Sequence, residues 1–361
     1  MYPGVTANML LALVMTCAFI LALRPVAHRF GLLDIPQGHK THSQHTPLVG
    51  GIAIYTSLAI LVLLAESGVA ALEGLRPFAW LVLFSGALVL SGAIDDYRHL
   101  SVAVRFPIQI AVATGLCLAT GTQINDLGYL LYDGVFVLGI AALPFTVFAM
   151  VGAINALNMT DGLDGLAGSL VLITLLALAA IAGLGGDTQS LTFLLTLAAA
   201  VTGFLLFNAR LPGRHHAHVF LGDAGSMMLG LVICYFLVTF SQGENRLMSP
   251  VTALWVFAMP LLDTFGVMIR RKQAGRPVWE PARDHLHHRL LRRGFTIGQT
   301  VAIIAALQCL LSGMGVVGNY YSLPDYLLFY GWITLFVIAN YGPRYWRRPM
   351  SNTKFGQTLD S

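Results

Sequence analysis

Eleven stretches of apolar sequence constrain this chain more than anything else in it: residues 6–23, 49–65, 78–94, 106–121, 135–157, 165–183, 190–207, 225–241, 250–269, 299–318 and 324–341. A helix needs about 20 apolar residues, within a range of about 17–25, to cross the hydrocarbon core of a bilayer. There it must bond every backbone N–H and C=O inside the segment. Only 11% of the residues are charged, against about 25% in a soluble domain. Mean hydropathy is +0.72. The expected fold is therefore all-α: a polytopic integral membrane protein with about eleven transmembrane helices. The fifth run is the most broken, with Pro144 inside it and Asn155 near its end.

Basic residues give the direction, because Lys and Arg gather in short cytoplasmic loops. With the N-terminus outside, the segments facing the cytoplasm hold 19 of the 21 Lys and Arg, eight of them in 270–298. Only Arg76 and Arg246 fall on the other side, and the C-terminus is expected to be cytoplasmic. No basic residue precedes the first run, and Arg24 and Arg29 come after it, which predicts an uncleaved helix rather than a signal peptide. For Arg344, Arg347 and Arg348, topology and attraction to anionic lipid are sufficient explanations. Cys17, Cys117, Cys234 and Cys309 lie in four different runs with no metal or disulfide spacing, and read as small hydrophobes.

The unusual polar clusters all fall on the cytoplasmic side. Asp95 and Asp96 end the third run, and adjacent carboxylates at a membrane surface repel unless a cation is near. In NALNMTDGLDGLAG, Asn155, Asn158, Asp161 and Asp164 recur every three residues, the spacing of one helical face. Gly162, Gly165 and Gly168 share that spacing and suit close helix packing. Asp223 stands between glycines just before the eighth run, where a helix N-terminus suits phosphate and a carboxylate suits Mg²⁺. An ordinary helix end would also explain Asp95–Asp96, and an ordinary N-cap Asp223. His285, His287 and His288 lie among Arg283, Arg289, Arg292 and Arg293. Without a cysteine, and with so much arginine, that segment suits an anion such as pyrophosphate better than zinc. Lys40, His42 and His45 add to it from the first cytoplasmic loop.

Acidic groups able to hold Mg²⁺, beside basic groups, are the parts that phosphoryl transfer requires. An apolar body admits a lipid substrate. The residues alone thus predict a membrane phosphotransferase acting on a lipid at the cytoplasmic leaflet, and leave the sugar open. Residues 1–345 read as a single transmembrane catalytic domain and 346–361 as a cytoplasmic tail. The rival from another class is a secondary transporter of an anionic solute, which would place ionisable groups near the midplane. Here Asp263 lies inside a run near its cytoplasmic end, and Asp325 at the very start of another, so neither is near a midplane.

At these motifs the chain resembles the polyprenyl-phosphate N-acetylhexosamine-1-phosphate transferases (glycosyltransferase family 4), most of all the bacterial undecaprenyl-phosphate GlcNAc-1-phosphate transferases. Thr46-Pro47 with Gly50-Gly51, Asp95-Asp96, Asn155–Asp164, Asp223 and His285-x-His287-His288 carry the resemblance, in order and over nearly the whole length. It implies that undecaprenyl phosphate attacks a UDP-sugar and releases UMP, at the cytoplasmic face of a bacterial inner membrane. It also implies that Asp95 and Asp96 are catalytic, and that Asp223 and Asn158 bind Mg²⁺, with Mn²⁺ as a substitute. Lys40, Asp161, Asp164, Asn208, His285, His287, His288 and Arg289 would bind substrate. Leu286 interrupts the histidines, where muramoyl-pentapeptide transferases show three in a row, and this favours GlcNAc over UDP-MurNAc-pentapeptide. Other UDP-amino sugars and a homo-oligomeric state are left open. Nothing points to nucleic acid as a partner.

Overall fold

The computed structural model describes residues 3–34, 45–131, 134–210, 212–214, 216–277 and 284–341. Lys40 and the tail 346–361 lie outside the described residues. In chain order the helices are α1 (Pro3–Phe30), α2 (Gly50–Glu66), α3 (Ala79–Arg98), α4 (Val102–Thr120), α5 (Ala142–Thr160), α6 (Leu166–Leu184) and α7 (Thr188–Asn208). Then come α8 (Gly222–Ser241), α9 (Pro250–Val256), α10 (Ala258–Gln273), α11 (Leu286–Leu291), α12 (Ile297–Tyr320) and α13 (Asp325–Tyr341). A two-residue ribbon pairs β1 (Leu33–Asp34) antiparallel with β2 (Thr46–Pro47).

The eleven apolar runs fall mostly on helix; the fifth is helical only from Gly139, its first residues pairing with 126–128 instead. By length and composition eight helices among the described residues can cross a membrane, and nine if the bent pair α9–α10 is one span. At 17 residues each, α2 and α13 sit at the lower limit. Leu10, Leu63, Leu118, Leu310 and Ile338 are exposed on helix exteriors, as lipid-facing residues are. The cysteines divide: Cys117 and Cys234 are buried, Cys17 is half-buried and Cys309 is exposed.

The centre of the fold is α8, with 18 of its 20 residues buried. A helix apolar all round has no face to give to water. Glycines let its neighbours reach its backbone. Gly51 of α2 packs on the Gly225 backbone, and Gly92 of α3 on Asp223 and Ala224, so a Cβ at either glycine would overlap main-chain atoms. These two approaches bring the ends of α2 and α3 onto the first turn of α8. In membranes such small-residue contacts replace the hydrophobic drive that lipid removes.

The run 250–269, expected as one helix, is two. A bend of 85° at Phe257 separates α9 from α10. Pro260 explains it, since its ring crowds the carbonyl four residues back, that of Val256, and it has no N–H to offer it. In the first turn of α10 the same proline is tolerated. Trp255 and Trp332 tie this half together through indole N–H bonds to Leu328 O (3.0 Å) and Leu254 O (3.1 Å).

Candidate active site

One end of the bundle collects the acidic clusters. Asp96, in the last turn of α3, accepts hydrogen bonds from the backbone N–H of Asp223 (2.9 Å) and Ala224 (3.4 Å). It thereby satisfies free N–H groups that open α8, a task that the N-cap residue Leu221 does not perform. Asp223 is thus not the cap but the capped residue, and its own carboxylate is left for other partners. Asn158 Nδ2, in the last turn of α5, donates to Asp223 Oδ1 at 2.6 Å and to Ser226 Oγ at 2.9 Å. Asp95 is 3% exposed and accepts from Leu100 N (2.7 Å) and Arg105 Nη1 (2.9 Å). The same Arg105 nitrogen stands 3.8 Å from Asp223 Oδ2. The Thr46–Gly51 segment docks beside them: Phe220 N–H bonds Pro47 O, while Gly50 and Gly51 donate to Phe220 O and Leu221 O.

The three-residue spacing of Asn155 to Asp164 does not continue along one helix. α5 ends at Thr160, and Asp161 and Asp164 lie in the turn before α6. Asn155 bonds elsewhere, donating to Gln109 Oε1 at 2.7 Å and to Val151 O at 2.8 Å. Asp164 is held by Arg210 Nε (2.9 Å) and Ala217 N (3.3 Å). Asn208 is 4% exposed and engaged on both sides: it accepts from Gly165 N (2.8 Å) and donates to Val219 O (2.9 Å). That is the placement of a brace rather than of a group facing substrate. The glycines also part company. Gly165 takes a left-handed φ of 82° before α6, Gly168 packs on Phe204 and Leu205, and Gly162 lies against His287.

The histidine segment closes over this turn. His285 Nδ1 lies 2.8 Å from Asp263 Oδ2, and Leu286 N–H donates to Asp263 Oδ1 at 2.8 Å, so one α10 carboxylate fixes the start of α11. The His285 and His287 rings stack with centroids 5.7 Å apart. His287 is 3% exposed with Nε2 toward Gly162. Burial first, and then His288, push its pKa down to about 3. It therefore offers one neutral ring N–H at most. Burial first, then Arg270 and Arg293, lower the pKa of Arg289. Arg270 ties α10 to Asn340 Oδ1 (2.6 Å) and Asp284 O (3.1 Å). The segment is thus a fixed wall of the site.

Asp161 is pushed up to about 7, by burial first and then by Asp223, Asp164 and Asp34. A carboxyl held above its unfolded value of about 3.9 binds its proton more tightly when folded. Stability is therefore expected to fall as pH rises from about 4 to about 7, with the whole loss present above that. Thermal melting of chelator-treated protein between pH 5 and 8 checks this: Asp161→Asn should lessen the slope, of which the raised Asp96 and Asp223 carboxyls keep a part, and an unchanged slope would deny it.

Sequence reasoning did not find Arg105, Arg210 or Ser226, nor the role of Asp263. Asp263 had a signal, as a carboxylate deep inside an apolar run, whereas the other one, Asp325, stands at the start of its run. The others are ordinary loop or helix residues until packing places them.

A helical, membrane-spanning body with a cluster of carboxylates and a histidine wall at one end defines a class of membrane glycosyl transferase. The profile of "Glycosyl transferase family 4" matches residues 78–241, a range that holds Asp95, Asp96, Asn158, Asp161, Asp164 and Asp223. The chain belongs to that family. The undecaprenyl-phosphate alpha-N-acetylglucosaminyl 1-phosphate transferase of Escherichia coli (strain K12) is 33% identical, over 93% of this chain and 89% of the relative. The protein of that name from Pasteurella multocida is also 33% identical, over 94% and 95%. Its Salmonella typhimurium counterpart is 32% identical over 90% and 86%.

Proposed function

We propose that this protein transfers N-acetylglucosamine 1-phosphate from UDP-GlcNAc to undecaprenyl phosphate, releasing UMP. The observation that carries the proposal is the meeting of Asp96, Asn158 and Asp223 under a histidine wall seated on the Asp161–Asp164 turn. The 33% identity to the named relatives, which extends over nearly the whole chain, supports the same reading. Eleven spans, with the site at the cytoplasmic face of a bacterial inner membrane, complete it. They are supported by the eleven helical runs and the one-sided distribution of Lys and Arg.

The oxygen-rich donor set fits Mg²⁺, with Mn²⁺ as a substitute. Asp223 would supply a carboxylate, and Asn158 would supply an oxygen if its amide turned over and gave up its bond to Asp223. Among the described residues no group of three His, Cys, Asp or Glu side chains forms a metal cage by itself. That is how Mg²⁺ is commonly held, by one or two protein groups with phosphate and water completing the shell. Bound there, the ion would screen the negative charge of the phosphates. Burial first, and then the neighbouring carboxylates of Asp223, Asp164 and Asp34, raise the pKa of Asp161 beside this donor set.

In the reaction an oxygen of the lipid phosphate bonds to the β-phosphorus of UDP-GlcNAc, and the bond from that phosphorus to the bridging oxygen breaks. The electron pair leaves with UMP. A phosphate monoester with pKa near 6 is already mostly ionised at pH 7, so a general base adds little. Asp95 is committed to Arg105 and Leu100, and Asp96 to the start of α8. These bonds favour direct attack over a phosphoryl-aspartate. Asp95 then orients Arg105 toward the developing charge, Asp96 fixes Asp223, and His288 and Arg289 face the sugar diphosphate, with His287 buried behind them against Gly162.

One anhydride is exchanged for another, so the equilibrium constant should lie within about tenfold of one. Radiolabelled UMP, incubated with unlabelled UDP-GlcNAc and undecaprenyl phosphate, should return label to UDP-GlcNAc. Enzyme that turns over forward without this exchange would instead be a hydrolase or a transferase releasing UDP.

A further inference from the structure

The break between α9 and α10 leaves backbone groups without helical partners in an apolar interior. Val256 ends α9, where carbonyls are free, and residue 260, whose N–H would have bonded it, is proline. Met259 lies in the first turn of α10, where N–H groups are free. One side chain from α12 meets both. Gln308 is 0% exposed; its Nε2 donates to Val256 O at 2.7 Å and its Oε1 accepts from Met259 N at 2.9 Å. Ser312 Oγ (3.0 Å) and Thr174 Oγ1 (3.4 Å) also donate to Val256 O, but neither reaches Met259. A primary amide carries donor and acceptor side by side, as a peptide does, and so replaces the missing turn. No apolar side chain of that size can do this, and buried backbone groups without partners are strongly disfavoured.

Beyond the clamp, α10 carries the anchor of the histidine segment. Asp263 lies four residues after Met259 and holds both His285 and the Leu286 N–H. The direction in which α10 leaves the break decides where that carboxylate stands. We infer that Gln308 is a positioning residue for the histidine wall: its amide clamps the α9–α10 break and so sets where α10 presents Asp263. The consequence for catalysis rests on the reading that this wall faces the UDP-sugar; the clamp itself does not.

The test uses the full chain in nanodiscs. Spin labels go on cysteines replacing Lys272, exposed at the end of α10, and Val317, exposed on α12, with exposed Cys309 replaced by serine. Gln308→Leu should shift or broaden the label-to-label distance distribution. It should also raise KM for UDP-GlcNAc about tenfold, while KM for undecaprenyl phosphate stays at the wild-type value. Gln308→Asn, which withdraws the amide by one methylene, should give the same changes more weakly, and it decides the matter if Gln308→Leu does not insert. Unchanged distances, unchanged KM for UDP-GlcNAc, or a loss of kcat alone would each overturn the inference. Distances are read without turnover, so wild-type protein inactive on UDP-GlcNAc would refute the proposed function and leave the clamp to be judged on its own.

Discussion

Asp223→Ala is expected to lose transfer by about 10³-fold or more, about 4 kcal/mol of transition-state stabilisation, while still inserting and folding. The fold survives because most of the bonds that define this corner do not use the Asp223 side chain; its carboxylate gives up the Asn158 bond and the nearby Arg105. Asp96 holds the backbone N–H of residues 223 and 224, which the substitution leaves in place. Arg105 keeps Asp95, and Asn158 keeps Ser226. Removing one carboxylate from a crowded acidic cluster also relieves like-charge repulsion. What disappears is the oxygen proposed to hold the metal against the phosphates. Asp223→Asn keeps the shape without the charge and should lose nearly as much. UMP release at saturating Mg²⁺, beside a melting curve in detergent, makes the comparison. Near wild-type turnover in either variant would remove Asp223 from the chemistry.

Asp263→Ala is expected to lower kcat/KM for UDP-GlcNAc about 10²-fold, or about 2.7 kcal/mol. Its two oxygens accept from two consecutive residues of the histidine segment, His285 and Leu286. Without them a buried imidazole and a backbone N–H lose their partners together, and α11 loses its fixed start. His287 is held against Gly162 only as part of that segment, so the change should reach the sugar-diphosphate site. Asp263→Asn retains an acceptor for the Leu286 N–H and should recover part of the loss. The effect should fall on the donor, leaving KM for undecaprenyl phosphate in place. Wild-type kcat/KM in Asp263→Ala would show that the wall does not need its anchor.

Much of the site was legible because its residues break rules locally. A carboxylate pair at the end of an apolar run, an Asn/Asp cluster beside glycines, and three histidines among arginines each stand out with no knowledge of the fold. The partnerships were not legible. The three-residue spacing of Asn155, Asn158, Asp161 and Asp164 suggested one helical face, yet α5 stops at Thr160, and Asn155 turns to Gln109. Asn208 reads as a polar residue beside the site, and only packing shows both ends of its amide taken by backbone. The break at Phe257 had its cause in view at Pro260, but a mean over 250–269 hides one proline among apolar neighbours.

By itself the sequence determined that this chain is a set of apolar helices and, apart from the break inside 250–269, roughly where each one runs. Burial in hydrocarbon is a sum over single residues, and a bilayer forces each run to satisfy its own backbone. It also determined which residues carry charge at the helix ends. Tertiary structure alone decided which of these meet. Asp96 and Asp223 are 127 positions apart, Arg210 and Asp164 are 46, and Gln308 and Val256 are 52. Helix packing at glycines sets those meetings, with the backbone of α8 within reach at Gly51 and Gly92. Such contacts depend on the relative placement of whole helices, which no local pattern of residues encodes.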